Sequence, residues 1–353
     1  MNMCRNVLFS LEIAAVYMGV VIGAGFATGQ EIYYFFARFG VWGLAGAALA
    51  GLFFAAYGSF ILTMAAHYRC AHYRDFLDIL MGRRVALLFD VFSFFMLMGG
   101  NCVMLAGSGA IFEEQAGIKA IFGILMALFF ACLVVAKGLQ GLLVANSILV
   151  PVKFFSAVTI AGFAIYYYQG AADLSRFQLF RHTDVLLSSI LYVSYNLVIP
   201  LAVLSSLGKI ATKKNAFWGG VLGGMGLGVA AFLITAAEIC FYPEIASCQL
   251  PLLYVATRLT PCFGLIFGLM IFIAILTALI SNTHGIASRL APGGGSKYRI
   301  AGVLALLLVA PLANFEFAFL VRLLYPLFGY AGLIMLLYLT VKMLSDFKNK
   351  IYR

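Results

Sequence analysis

Five ionisable residues fall inside long apolar runs of this 353-residue chain: Glu12, Glu31, Asp90, Lys153 and Glu238. A charge at the centre of a bilayer costs about 2.5–3.5 kcal/mol on insertion scales, so one retained there is read first as a mechanistic group. Lys153 is the clearest case. It interrupts the apolar stretch 138–172 near its middle, too deep to reach an interface easily. It is expected to exchange a proton, to act as a fixed positive charge, or to donate to exposed backbone carbonyls. Glu31, with Gln30 beside it, could gate, bind a cation, carry a proton or form an interfacial ion pair. Glu12, Asp90 and Glu238 lie nearer the ends of their runs and read mainly as interfacial or paired acids.

Two interrupted segments accompany these charges. VIGAGFATGQE (21–31) concentrates Gly23, Gly25 and Gly29, and each glycine costs a helix about 1 kcal/mol relative to alanine. An unwound turn there leaves backbone N–H and C=O groups that a ligand, an ion or the protein must satisfy; close helix packing is the other reading of such small residues. SYNLVIP (194–200) sets Ser194, Tyr195 and Asn196 before Pro200, which removes one helical hydrogen bond. Interrupted helices at corresponding positions of two halves point to a transport site. Half-helix N-termini suit a carboxylate and free carbonyls suit an ammonium or Na⁺, so an amino acid would satisfy both. Asn101, after Gly99 and Gly100, adds a polar group in a third segment. A further segment ends with Thr277, Ser281, Asn282, Thr283 and His284, where hydroxyls could complete a sodium shell. His284 reads as a paired histidine. No metal-binding, nucleophilic or phosphate-cradling motif is present, so no catalytic residue and no resident cofactor is expected; the coupling ion would be H⁺ or Na⁺.

The elements that position these groups follow from composition. The chain is 64% hydrophobic and 10% charged, with a net charge of +10, whereas soluble domains average about 25% charged residues. That excludes a water-soluble enzyme and a disordered chain. Windows free of Asp, Glu, Lys and Arg cover 13–30, 39–68, 91–112, 120–136, 138–172 (but for Lys153), 185–208, 215–237, 259–288, 300–315 and 323–341. A spanning helix needs about 20 residues, so ten helices are expected; the runs do not alternate, against a β-barrel. With the N-terminus inside, the basic residues concentrate in the inner segments and both ends lie in the cytoplasm. The positive balance is thus a topology signal, without nucleic-acid binding, and a cell-membrane location is expected.

Ten spans divide into two halves of five, approximately 7–168 and 184–345, which must be inverted if they share a fold. The chain is expected to form one all-α domain of two inverted repeats. Segment 72–82 reads as an inner interfacial helix and 291–296 as an inner loop. Gly43, Ala47, Gly51, Ala55 and Ser59, and separately Gly220, Gly224 and Gly228, recur every four residues as close-packing faces. The seven cysteines read as buried thiols, with an outer disulfide among Cys240, Cys248 and Cys262 as the alternative.

GAGFATGQEI (23–32), in an N-terminal broken helix, resembles the YkvI-type family of bacterial membrane proteins. These are regarded as amino acid permeases of the amino acid–polyamine–organocation superfamily, with a LeuT-like fold. The resemblance implies a substrate site between spans one and six, with walls from spans three, eight and ten. It would place Gly23, Ala24, Gly25 and Phe26 at the first break and Ser194, Tyr195 and Asn196 at the second. In some sodium-independent members of that superfamily a span-five lysine stands in for a sodium ion, and Lys153 looks similar. The acidic cluster that a divalent-metal transporter needs at both breaks is lacking. The expected function is secondary transport of an amino acid or small amine, coupled to protons. Sodium coupling through Thr277 and Ser281 is one alternative; a non-transporting membrane sensor or scaffold is another. The expected partners are the lipid bilayer and a small solute; nothing in the sequence fixes an oligomer.

Overall fold

Glycine and proline decide where the helices end. The computed structural model describes residues 2–70, 73–137, 140–168, 182–291 and 295–351, with the side chains at 2–5, 24, 137, 140–150, 182 and 347–351 outside the described set. The charges of Arg5, Lys137, Asp173, Arg176, Arg181, Lys348, Lys350 and Arg353, which enter the topology argument, therefore lie outside it, as do Cys4 and most of the 291–296 loop.

Helix α1 runs Asn2–Val21, α2 Ala24–Thr28 and α3 Gln30–Phe35. The helix expected over 13–30 thus starts at Asn2 and stops two residues before Gly23. Glu12 does not shorten it, because its side chain is exposed on the helix surface. Gly29 joins α2 to α3 in the left-handed region (φ 83°, ψ −15°), a conformation that a residue with a Cβ adopts only under strain.

The chain continues through a 3-10 turn, Ala37–Phe39, into α4 (Val41–Tyr68), α5 (Tyr73–Ala116), α6 (Ala120–Lys137) and α7 (Gln140–Tyr167). Gly82 (φ 76°, ψ 155°) kinks α5, so the helical turn expected over 72–82 forms as the head of α5 and is set off by that glycine. α8 (His182–Val198) and α9 (Leu201–Ser206, continued by a 3-10 turn to Lys209) meet at a bend of 54° around Ile199 and Pro200. α10 (Lys213–Cys240), α11 (Pro251–Leu259), α12 (Pro261–Leu290), α13 (Gly295–Val309) and α14 (Phe317–Ile351) complete the chain.

No strand occurs among the described residues. Among the described residues six helices are long and apolar enough to cross a membrane, and the bent α8–α9 pair makes a seventh. Three shorter apolar helices, Asn6–Val21, Ala120–Ala136 and Pro151–Tyr167, accompany them. At 1.5 Å per residue, a 28-residue helix such as α4 is about 42 Å long, against a hydrocarbon core of about 30 Å. Large apolar side chains cover the perimeter; Leu308 is 71% exposed.

The two small-residue ladders pack on each other. A side chain built on Gly51 would meet the Gly228 Cα at 2.6 Å, Gly224 lies on the Ala55 backbone and Gly220 on that of Ser59. The order is antiparallel, and α4 and α10 approach as closely as backbones allow. Tyr17 of α1 locks against the same pair, its hydroxyl donating to the Phe54 carbonyl at 3.0 Å.

The described cysteines, Cys240, Cys248 and Cys262 among them, are free thiols, so no outer disulfide forms between them.

Candidate functional site

Among the described residues three charged side chains are buried: Glu31, Lys153 and Glu238. The other two candidates are not. Glu12 is exposed, and Asp90, about a third exposed, pairs with Arg289 of α12 at 3.4 Å. Arg289 was out of sight in sequence because the partner comes from a helix some 200 residues further on.

Glu31 lies at the meeting point of α2, α3, α8 and α14. Its carboxylate folds back over Gly25 and occupies the space in which a side chain at that position would begin. The Tyr195 hydroxyl of α8 donates to Glu31 Oε2, and the Tyr325 phenol of α14 bonds the same carboxylate. The rings are continuous: Tyr195 lies 5.0 Å from Tyr325, 5.7 Å from Tyr192 and 5.7 Å from Phe35, centroid to centroid. An acid is therefore held by two phenols inside an aromatic wall that spans three helices. The Tyr192 hydroxyl has no hydrogen-bond partner.

The first interruption comprises Ile22 and Gly23. Thr28 Oγ1 donates back to the Gly25 carbonyl at 2.9 Å and accepts from the Gln30 backbone N–H at 3.4 Å, closing the turn on itself. Phe26 is buried in the core, the Gln30 side-chain oxygen is buried without a partner, and the side chain of Ala24 lies outside the described set.

Lys153 of α7 donates from Nζ to Thr277 Oγ1 of α12 at 3.2 Å, while Thr277 donates to the Ala274 carbonyl at 2.9 Å. α2 packs against α12 and touches α7, the two helices that this pair joins. The amine and the hydroxyl singled out separately in the sequence thus form one unit. Ser281, one helical turn beyond Thr277, stands on the same helix.

The remaining polar residues stitch helices together. Asn101 Nδ2 donates to Thr283 Oγ1 at 3.0 Å, joining α5 to α12. Ser194 donates to the carbonyls of Leu191 and Gly329, joining α8 to α14, and Asn196 donates back to the Tyr192 carbonyl at 3.1 Å. His284 is paired as expected, with the Tyr298 hydroxyl at 2.6 Å and with Ser288.

Sequence reasoning missed Tyr325. It directly precedes Pro326, a proline inside α14, and a polar side chain just ahead of a proline in an apolar run is the pattern that singles out Tyr195 before Pro200. It also placed Glu238 at an interface, whereas the structure buries it completely, with no hydrogen-bond partner among the described residues. The turn at Gly29 and helix α11 cover it, and both come from elsewhere in the chain.

No family model matches the chain. It is 30% identical over 329 residues to the "uncharacterized membrane protein YkvI" of Bacillus subtilis (strain 168), covering 91% of this chain and 92% of that one. It is 27% identical over 323 residues to the "uncharacterized protein YyaD" of the same organism, covering 90% and 92%. Among solved structures it superposes on MhsT in complex with L-phenylalanine with a TM-score of 0.62 at 17% identity, covering 91% of this chain and 87% of that chain. It superposes on the Eremococcus coleocola manganese transporter with a TM-score of 0.59 at 12% identity, covering 92% and 76%. A Na⁺-coupled sialic acid symporter gives 0.61 at 13%, again covering 92% and 76%. These are LeuT-fold transporters, and at such identities the likeness concerns the fold.

Proposed function

The chain belongs to the family of the Bacillus subtilis membrane protein YkvI, and from that premise we propose that it is a secondary active transporter of an amino acid or related small amine, coupled to protons. In this reading the protein has ten spans. α1 to α3 form an interrupted first span and α8 with α9 an interrupted sixth; α4, α5, α6 and α7 are spans two to five, and α10, α12, α13 and α14 spans seven to ten. Spans one to five and six to ten are the two inverted repeats, and both termini face the cytoplasm of a cell that carries the protein in its inner membrane.

The observation that carries the proposal is the junction of the two interrupted helices. Glu31 follows the first interruption by eight residues, Tyr195 precedes Pro200 by five, and the two side chains are hydrogen-bonded in the core. A solute would bind between the interruptions, against Gly23, Ala24, Gly25, Phe26, Tyr195 and Asn196. Asn101 and Ser194 would shape the walls through the bonds they make to Thr283 and Gly329. The Glu31 carboxylate and its tyrosines would close the outer side. An ammonium group of the solute would find there both a carboxylate and aromatic faces.

Proton coupling is supported by Lys153. Its amine donates to Thr277 of α12 from a buried position in α7, where it could take up and release a proton in the cycle. Sodium coupling is the second reading, favoured by the likeness to a Na⁺-coupled symporter and by Ser281 on the same helix.

Uptake into proteoliposomes tests the proposal. Purified protein should accumulate an amino acid or amine under an inward proton gradient, and an uncoupler should abolish the accumulation. Failure of every amino acid and amine to move under any gradient, with none of them shifting the melting temperature, would overturn it. Stimulation by sodium but not by a proton gradient would replace the first coupling ion with the second.

A further inference from the structure

Of the three buried charged side chains, Glu31 and Lys153 are hydrogen-bonded and Glu238 is not. It belongs to the last turn of α10, is 0% exposed, and neither carboxylate oxygen has a hydrogen-bond partner among the described residues. Its Oε1 lies against Gly29, in the space that a Cβ there would take. The same position would meet the Leu252 backbone nitrogen of α11 at 2.8 Å. The carboxyl group is therefore enclosed between the left-handed turn that joins α2 to α3 and the first turn of α11.

Among the described residues, the neighbours of α10 offer it no counter-charge. From α3, Tyr33 lies within electrostatic reach, and that phenol is in turn under the influence of Tyr242, Arg38 and Arg322. Arg38 is stacked on the rings of Tyr34 and Phe39. On α11, Arg258 donates to the Tyr254 hydroxyl. Just past α7, Tyr168 packs its ring on Phe241, and on α7 Lys153 is bound to Thr277. α1 brings Tyr17, bonded to Phe54, and the exposed Glu12; α4 brings no ionisable side chain between Val41 and Ala56. An ionised carboxylate enclosed without a partner is strongly disfavoured; the group neutralises instead.

We propose that Glu238 is a proton-carrying carboxyl, held in its neutral form beneath α11 and the Gly29 turn and exchanging its proton with water when these two elements part. It would add a second protonatable site to the transport cycle, on a helix that the α4 ladder holds rigid, next to the hinge that must move if α3 opens. The coupling role rests on the transporter reading; the protonation state does not.

Infrared difference spectra of the protein in membranes read that state directly. The carbonyl stretch of a protonated carboxylic acid should be present in the wild type at neutral pH and missing in Glu238→Gln. In proteoliposomes Glu238→Gln should retain solute exchange but lose at least tenfold of the accumulation driven by a proton gradient. Should that variant fail to fold, the wild type alone suffices. Dicyclohexylcarbodiimide adds only to protonated carboxyls, so the peptide containing Glu238 should gain the reagent's mass at neutral pH and gain less of it as pH rises. Identical spectra and identical proton dependence in wild type and variant would overturn the proposal, as would an unlabelled Glu238 peptide. A sodium-dependent melting shift lost in Glu238→Gln would also overturn it, in favour of a metal cation. A protein that shows the band but moves no solute would lose the transporter reading and keep the proton site.

Discussion

The carboxylate of Glu31 sits where a side chain on Gly25 would begin. The two residues are six apart, on opposite sides of the left-handed turn at Gly29. Glycine at position 25 is thus what lets an acid reach the first interruption, and the acid in turn gathers Tyr195 of α8 and Tyr325 of α14.

Gly25→Ala is expected to displace the Glu31 side chain and to lower solute affinity at least tenfold. Gly23→Ala is the control: the nearest atom to a new Cβ there is the Val21 carbonyl oxygen at 3.9 Å, an ordinary contact. Thermal-shift titrations of both variants with the transported solute check this. Equal affinities would reduce Gly25 to a packing residue.

Tyr195→Phe removes one hydrogen bond to a buried carboxylate, an interaction worth about 1.5–3 kcal/mol. The contact between α3 and α8 should loosen by roughly tenfold or more, seen as faster amide hydrogen exchange along α3. Tyr325→Phe should act in the same direction through α14.

Lys153→Ala takes the ammonium from Thr277 but leaves the threonine bonded to the Ala274 carbonyl. Uptake should lose its pH dependence while the fold persists. An unchanged pH profile would remove Lys153 from the coupling mechanism.

Gly228→Val is expected to be the most destabilising change on the helix pair. A Cβ at residue 228 falls on the Gly51 Cα, backbone that cannot swing aside. Overpacking typically costs about 1–3 kcal/mol, and the melting temperature should fall accordingly. Gly162→Ala, with nothing within 4 Å of the new Cβ, should leave it unchanged.

Cys248, in the connection between α10 and α11, tests both chemistry and topology. Burial, with Glu114 and Glu244 nearby, pushes its thiol up to about 11. The thiolate is the reactive form, so at pH 7 alkylation should be slow, rising with pH until the medium passes that value. A membrane-impermeant maleimide should show this from the outer face of intact cells. Fast labelling at neutral pH would contradict the half-buried placement of Cys248 beside two acids, and labelling only after lysis the orientation.

Much of this architecture can be derived from one sequence. Scarce charge and long apolar runs specify helices in a membrane, because backbone groups in lipid must be bonded within their own segment. The four-residue spacing of small side chains marked the faces of α4 and α10 as contact surfaces, since that spacing keeps them on one side of a helix. Glycine and proline marked the interruptions at Gly23 and Pro200, because each weakens the local hydrogen-bond ladder. Lys153 and Glu31 stood out because an isolated charge in an apolar run has no local reason to be there.

Tertiary structure alone decided which residues meet. Helical periodicity carries no information about the partner of a side chain more than a few turns away. Only packing could pair Lys153 with Thr277, bring Tyr325 to Glu31, set the ladder of Gly51 on that of Gly228, and draw Asp90 to Arg289. Burial is likewise a property of the assembled bundle. Glu12 and Glu238 look alike in sequence, each an acid near the end of an apolar run. One is left at the surface of α1; the other is enclosed because the Gly29 turn and α11 close over it.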